Sequence, residues 1–135
     1  MKKLLLGILL SVVGAAFVSG QEQNKAPDWV GKDPYVENGL VYSSGYAKTG
    51  GASMSATIAQ TRAMSGLLIY LGSNTLPGLP SIPEDAKRST YTGNDNGRKV
   101  EGTFSGVTRV DMFVDDDGGV YVLISCTGVE MNDPQ

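Results

Sequence analysis

The stretch that decides the fold reads ASMSATIAQTRAMSGLLIYL and covers residues 52–71. It has no proline, and small residues recur at spacings of four and three: Ala52, Ala56, Ala59, Ala63 and Gly66. At about 100° per residue these positions form one narrow band on a helix. Because small side chains let a helix backbone approach its neighbour closely, the pattern predicts a helix pressed against a sheet along this band. Gly66 costs about 1 kcal/mol relative to alanine in a helix, which predicts tight packing there.

The ends and the opposite face of the predicted helix are also informative. Ser53 is the predicted N-cap, and Gly72 is predicted to follow the last turn. The opposite face carries Met54, Ile58 and Ile69, and Arg62 is the only charged residue in residues 49–83. A solvated helix face usually carries several Lys and Glu side chains. Two interpretations stay open: the proline-rich loop at 74–83 folds back over this face, or the face meets another copy of the chain.

Strand-like segments lie on both sides of this helix. They cover residues 40–47, 88–92, 98–104, 107–114 and 120–127. The acidic, glycine-ending turn at 115–119 predicts an antiparallel hairpin, and apolar groups on both faces of 107–114 predict a central strand. Gly45 predicts a bulge or the close approach of another backbone. The predicted fold class is α+β: a strand–helix–strand–strand unit with one long helix packed on an antiparallel sheet of three to four strands.

The first twenty residues have the three parts of a secretory signal. Two lysines precede an uncharged, mostly apolar run at 4–18, and small Val18 and Gly20 fit the cleavage site before Gln21. The run is shorter than the roughly 20 residues needed to span a bilayer, so we expect no integral membrane span after cleavage. We predict a signal peptide at 1–20, a flexible leader at 21–26, a single α+β domain at 27–129 and a polar tail at 130–135.

Composition excludes several classes of function. The chain has no His, which excludes a Ser-His-Asp triad and a His-ligated zinc site. Its single Cys, Cys126, excludes an intramolecular disulfide. The 11 basic and 14 acidic residues give a net charge of −3. Because the predicted signal carries two lysines and no acid, cleavage leaves 9 basic and 14 acidic residues, a balance that argues against a nucleic-acid partner.

Candidate chemistry is sparse. Asp115, Asp116 and Asp117 could offer oxygen ligands to a hard cation, but Asp and Gly are also the usual residues of a hairpin turn, and we predict no metal site. Cys126 lies in an apolar run without a basic neighbour, which predicts a small buried hydrophobe rather than a nucleophile. No motif indicates catalytic residues or a cofactor, so we predict neither.

Trp29 is the only tryptophan of the chain. It could line a ligand groove together with tyrosines, but a lone Trp more often packs against the core. We predict that it ties the leader to the edge of the domain. It is also counted in the predicted interaction surface, which comprises Trp29, Met54, Ile58, Arg62 and Ile69.

Several segments together resemble a known family. They are PDWV at 27–30, LVYSSGYA at 40–47, the helix with Ala56, Ala59 and Ala63, and DDGGVYVL at 116–123. They resemble the LPP20-type envelope lipoprotein family, which is itself similar to flagellar outer-membrane-disk proteins of some Gram-negative bacteria. The resemblance implies a helix on an antiparallel sheet, a periplasmic or outer-membrane location and a non-enzymatic role, sometimes in ring-like assemblies. The chain departs from the family in lacking the lipidated Cys at the signal end and in carrying the loop at 76–83.

The expected function is that of an exported, non-enzymatic structural or assembly protein of the cell envelope. It would act through self-association or protein–protein contact, with a homo-oligomer or envelope proteins as partners. Its contact surfaces would be the weakly charged helix face and a sheet edge open to strand addition. The alternative is a periplasmic binding module for a small molecule or glycan, with a concave aromatic pocket. An enzyme that uses carboxylates and tyrosines is the least supported.

Overall fold

The computed structural model describes residues 25–95 and 97–132, without the side chains of Asp95 and Arg98. The elements in chain order are β1 Tyr35–Glu37, β2 Leu40–Ala47, α1 Ala52–Ser73, β3 Ser89–Asp95, β4 Arg98–Ser105, β5 Thr108–Val114, β6 Val120–Cys126 and β7 Gly128–Met131. The predicted signal peptide, leader residues 21–24 and tail residues 133–135 lie outside the described residues. Strand β7 includes Glu130 and Met131, which the sequence assigned to the tail.

The strands form two antiparallel sheets, ordered β1-β2-β6-β5 and β3-β4-β7. The sheets meet where Thr127, between β6 and β7, donates its amide to the carbonyl of Ser105 at the end of β4. The positive φ of Gly106 turns the chain from β4 into β5 at the same level. Helix α1 packs against strands of both sheets. The predicted α+β class, with one long helix on antiparallel strands, is confirmed.

The band of small residues brings α1 directly onto the four-stranded sheet. Ala56, Ala59 and Ala63 are buried, and the core around them includes β2 and β6 side chains. A Cβ atom built on Gly45 of β2 would collide with backbone atoms of Ala59 and Ala63. Ser43, also on β2, donates its hydroxyl to the Ala63 carbonyl at 2.8 Å. The close approach predicted at Gly45 is therefore confirmed. The hydrogen bond from Ser43 links β2 directly to the helix backbone.

Both predicted helix ends differ from the structure. The N-cap is Gly51 rather than Ser53, and no side chain caps the helix there. Gly72 lies inside the helix, which continues to Ser73. Asn74 ends it instead, because its backbone amide and its side-chain amide both donate to the Tyr70 carbonyl, at 2.8 and 3.0 Å. The extended backbone of Asn74 then leads the chain away from the helix.

Tight packing at Gly66 was also a wrong prediction. A Cβ atom built on Gly66 meets nothing within 4 Å. The band of small residues is therefore in close contact with the sheet through Ala63 but not at Gly66. The small residue leaves open space there instead of permitting contact.

Strand β5 is an edge strand, not the central strand that the sequence predicted. It pairs with β6 on one side and is the last strand of its sheet. Its side chains are exposed except for that of Phe113, which is half-buried. The reason is the position of α1, which covers β2 and β6 and leaves the apolar side chains of β5 at the margin of the sheet.

The proline-rich loop packs against the core through Leu76 and Leu79. It lies along β7, where the Val129 amide donates to the Pro80 carbonyl at 3.2 Å and Ile82 is buried. A Cβ atom on Gly128 would lie 2.7 Å from the Cα of Ile82. The helix face near Ser65 is contacted by β3, with the Ser65 hydroxyl 3.3 Å from that of Tyr91.

Among the described residues, no helix combines the length and the apolar character needed to cross a membrane.

Candidate interaction surface

The structure separates the four predicted surface residues of the helix. Met54 is 63% exposed in the first turn. Ile58 is half-buried and packs against the core. Arg62 is exposed but directed to the sheet, since its Nη1 donates to the Tyr46 carbonyl at 3.0 Å. Ile69 is half-buried and lines a cleft. Of these four, only Met54 offers a freely exposed apolar side chain.

Trp29 ties the start of the domain to the edge strand. Its indole Nε1 donates to Asp111 Oδ2 of β5 at 3.0 Å. The side chain is only 9% exposed. The bond attaches Trp29 to the edge of the domain, as the sequence predicted. Because the ring is largely covered, Trp29 adds little exposed area to the predicted interaction surface.

Sequence reasoning missed the exposed apolar residues of β5. Val110, Met112 and Val114 are 49%, 44% and 42% exposed. In the pairing register Met112 lies opposite Val122 and Val114 opposite Val120. Those two β6 residues are buried in the core that contains the helix, so Met112 and Val114 lie on the helix-facing side of the sheet.

A signal for this exposure was present in the sequence. Arg109 and Asp111 alternate with Val110 and Met112 along β5. Charged side chains on a strand are one of the means by which proteins protect an exposed edge. The Nε of Arg109 donates to Gln60 Oε1 of the helix at 2.9 Å. This bond lies at the border between the part of the sheet that α1 covers and its exposed margin.

Met54 lies at the same end of the sheet as Val114. Strand β2 ends at Ala47, which pairs with Val120, and Val120 pairs with Val114. The helix begins at Ala52, five residues after that end of β2. We call Met54, Met112 and Val114 the apolar corner. It comprises a helix turn and an edge strand that share one end of the four-stranded sheet.

A cleft lies beside the second half of the helix. It has a volume of about 490 Å³ and is open to solvent. Residues 31–34, the middle of β2 and the last turns of α1 surround it, with Lys32, Ser44, Gly66, Ile69, Tyr70 and Asn74 among the lining residues. The space left open at Gly66 therefore belongs to this cleft. Tyr70 is the aromatic residue in its lining, so the predicted concave aromatic pocket is not formed here.

Most tyrosines instead lie in pairs along the sheet. Tyr35 and Tyr42 stack with ring centroids 5.1 Å apart, and Tyr121 lies 4.5 Å from Tyr46 and 6.2 Å from Phe113. Tyr121 pairs with Tyr46 and Phe113 in the strand register. The pKa of Tyr35 is raised, first by desolvation and then by the nearby Glu37. These pairs stabilise neighbouring strands and do not enclose a cavity.

The acidic turn has a structural role. Oδ1 of Asp115 accepts the backbone amides of Asp117 and Gly119, both at 2.9 Å. Gly118 has the positive φ that the turn requires. Within the part of the chain that the structure describes, no group of three or more acidic, Cys or His side chains is arranged to hold a metal ion.

Cys126 is fully buried at the end of β6. Burial raises the pKa of its thiol to about 12. The reactive thiolate is therefore scarce at neutral pH, which agrees with the predicted role as a small hydrophobe.

No family model, curated protein sequence or solved structure matches this chain. The resemblance to the LPP20-type envelope lipoproteins stays a prediction from the sequence. Arguments about function therefore depend on the geometry of the apolar corner and the cleft.

Proposed function

We propose that this protein is an exported, non-enzymatic structural or assembly protein of the cell envelope that acts through protein–protein contact. The apolar corner carries the proposal. Met54, Met112 and Val114 expose 63%, 44% and 42% of their surface. The three side chains lie on neighbouring elements, α1 and β5, and exposed apolar residues on adjacent elements are a feature of surfaces that bind other proteins.

Export is the second part of the proposal. Its support is the N-terminal pattern of two lysines, an apolar run at 4–18 and small residues before Gln21. The test is expression of the full chain in a Gram-negative host, followed by osmotic release of the periplasm and mass analysis of the product. A product beginning at Gln21 in the released or outer-membrane fraction is expected. An uncleaved chain in the cytoplasm would contradict export.

Contact through the apolar corner can be tested by site-specific photo-cross-linking. A benzophenone side chain is introduced at Met54 or Met112, and at Lys87 as an exposed loop control. Irradiation of intact cells should give discrete adducts from the two corner positions and none from Lys87. Equal labelling at all three positions, or no adduct at any of them, would contradict a specific contact surface here.

The cleft favours a second candidate, a binding module for a small molecule or glycan. Its lining residues include charged Lys32 and Asp33, polar Ser44 and Asn74, and the aromatic Tyr70. Polar groups around a partly apolar surface are what a sugar requires. Thermal unfolding is measured with a panel of amino sugars and muropeptide fragments, for the native chain and for Gly66→Leu, which adds a bulky side chain at the wall of the cleft.

A bound sugar should raise Tm of the native chain, because a ligand at 100 times its Kd stabilises by about 2.7 kcal/mol. Gly66→Leu should lose that rise. Gly72→Leu is the control, since it places the same side chain on the same helix at another position with open space. No shift with any sugar, or equal shifts in all three chains, would contradict this candidate.

A further inference from the structure

Strand β1 pairs with only the first half of β2. Its three residues lie opposite Leu40, Val41 and Tyr42, whereas β2 continues to Ala47 and pairs with β6 along its other side. Among the described residues, no strand pairs with the β1 side of β2 beyond Tyr42. The second half of β2 therefore has an open edge on this side.

The main-chain groups of Ser44 point out from this open edge. The two-residue turn at 38–39, where both residues have positive φ, makes Leu40 a hydrogen-bonded partner of β1. Because main-chain groups alternate in direction along a strand, those of Ser44 and Tyr46 point to the same side as those of Leu40. The bond from Arg62 Nη1 to the Tyr46 carbonyl agrees with this direction. Within the described part of the chain, no loop supplies a main-chain bond to Ser44.

The cleft beside the helix lies along the same open edge. Its lining includes Ser43 and Ser44 of β2, Gly66 and Ile69 of α1 and residues 31–34, which lead into β1. A Cβ atom on Gly66 would meet nothing within 4 Å, so the helix leaves room for another side chain there. The cleft of about 490 Å³ therefore lies where the next strand of the sheet would lie, and β1 bounds it at one end.

We infer that this cleft binds a short extended peptide, which pairs antiparallel with β2 at Ser44, with an acidic side chain near Arg62 and an apolar side chain near Gly66. The inference rests on the binding function proposed for the cleft and names the class of its ligand. Strand addition at an open edge is a known mode of peptide recognition, because main-chain bonds supply affinity and the alternate side chains supply specificity.

The space at Gly66 selects an apolar side chain. Antiparallel pairing is the more stable arrangement and continues the direction of β1. Residues opposite each other in such a pair direct their side chains to the same face of the sheet. Ser43 faces the helix, since its hydroxyl donates to the Ala63 carbonyl. The peptide residue opposite Ser43 therefore points into the space beside Gly66 and the half-buried Ile69.

The guanidinium of Arg62 selects an acidic side chain two residues earlier in the peptide. That residue lies opposite Gly45, which also faces the helix. Arg62 is exposed and uses Nη1 for the bond to the Tyr46 carbonyl. It forms no salt bridge with another described residue, so its remaining donors favour a carboxylate. From the amino end, the expected pattern is an acidic residue, any residue and an apolar residue.

The first test adds acetyl-Glu-Thr-Val-amide to the isotope-labelled native chain. The threonine of the peptide pairs with Ser44, and the acetyl carbonyl accepts the Tyr46 amide. Binding should shift the NMR signal of the Ser44 amide and slow its exchange with solvent. The amide of Met112, at the opposite edge of the same sheet, should not change. Binding that leaves the Ser44 amide unchanged, or no binding at millimolar peptide, would overturn the inference.

A methylated peptide separates strand addition from other modes of binding. N-methylation of the threonine nitrogen removes the N–H that donates to the Ser44 carbonyl and leaves every side chain as it was. Because a hydrogen bond is lost, Kd should rise at least about fivefold. Equal affinity of the two peptides would overturn main-chain pairing.

Charge exchange tests the acidic position. Arg62→Glu should weaken binding of acetyl-Glu-Thr-Val-amide at least about twofold, and acetyl-Lys-Thr-Val-amide should bind this variant better than the native chain. The native chain should prefer the glutamate peptide and the variant the lysine peptide. The same preference in both chains would overturn the role of Arg62.

A larger side chain at Gly66 tests the apolar position. Gly66→Leu takes up the space that the valine of the peptide would enter, so the shift of the Ser44 amide should be lost. Gly72→Leu adds the same side chain at another open position of the same helix and should bind as the native chain does. Equal binding by all three chains would overturn this placement of the peptide.

These results are distinguishable from a failure of the binding function proposed for the cleft. If a sugar raises Tm of the native chain and loses that effect in Gly66→Leu, while no peptide binds, the inference is wrong and the cleft is still a binding site. If neither a sugar nor the peptide binds, both are wrong. If the peptide protects the Ser44 amide and no sugar binds, the inference stands.

Discussion

Gly45 lies on β2 and faces the backbone of α1, whereas Gly66 is part of α1 itself. At Gly45 an added Cβ atom would collide with the helix backbone, whereas at Gly66 it would meet nothing within 4 Å. Near Ala59 and Ala63, the small residues bring the backbones of α1 and β2 into contact. Further along the same band, at Gly66, the small residue borders the cleft of about 490 Å³. Small size alone therefore does not indicate close packing, because the neighbouring element decides.

The largest effect is expected where β2 contacts the helix backbone at Gly45. Gly45→Val would push β2 away from α1, because the colliding atoms belong to the helix backbone and cannot rotate aside. Overpacking usually costs about 1–3 kcal/mol and occasionally more, and we expect the upper end or beyond. Urea unfolding measures the loss. Gly50→Val, at an exposed position with open space, is the control, and equal stability of the two variants would contradict the close contact.

The next effect tests whether water is excluded beneath the helix. Cys126 lies opposite Val41 in the register, on the β6 face that packs in the core. Its thiol pKa is about 12 in the folded chain and 9.0 as the ordinary value. Because the folded-state pKa is the higher one, the thiol's contribution is complete below pH 9 and is lost as the pH rises from 9 toward 12.

At about 1.36 kcal/mol per pH unit, the thiol should remove roughly 2–3 kcal/mol of stability between pH 9 and 11. Cys126→Ala has no thiol to ionise, so its unfolding free energy should fall less over that range. The measurement is urea unfolding of both chains at pH 8 and 11. Parallel losses in the two chains would mean that the thiol is already accessible to water.

A smaller effect is expected at Ser43. Its buried hydroxyl donates to the Ala63 carbonyl at 2.8 Å, and Ser43→Ala should cost about 1 kcal/mol. Ser44→Ala, one residue along β2 and half-buried beside the cleft, should change stability by less than about 0.5 kcal/mol. Thermal unfolding ranks the two variants, and a larger loss at Ser44 would contradict the contribution of the hydrogen bond from Ser43 to the helix.

The sequence predicted what depends on local pattern. The spacing of Ala56, Ala59 and Ala63 indicated which helix face is buried, and Gly45 indicated a close approach. The turn at 115–119 indicated the hairpin of β5 and β6. Each of these features follows from helical periodicity or turn chemistry within a few residues.

Strand order and coverage could not be predicted in the same way. Val110 and Met112 look like core residues in the sequence, but whether a strand is central depends on where distant elements pack. The same holds for Gly66, because the segment that borders its open space, residues 31–34, is more than thirty residues away in the chain. The bond from Trp29 to Asp111 joins residues 82 positions apart, and no local pattern predicts such a pair.

The most direct test compares Gly45→Ala with Gly66→Ala in one urea-unfolding experiment. The same methyl group is added once on β2, against the helix backbone, and once within α1, beside the cleft. Gly66→Ala should raise the unfolding free energy by up to about 1 kcal/mol, because alanine is the better helix former and meets no neighbour. Gly45→Ala should lower it by more than that. Changes of the same sign, or a gain at Gly45, would contradict the contact between α1 and β2 on which this architecture depends.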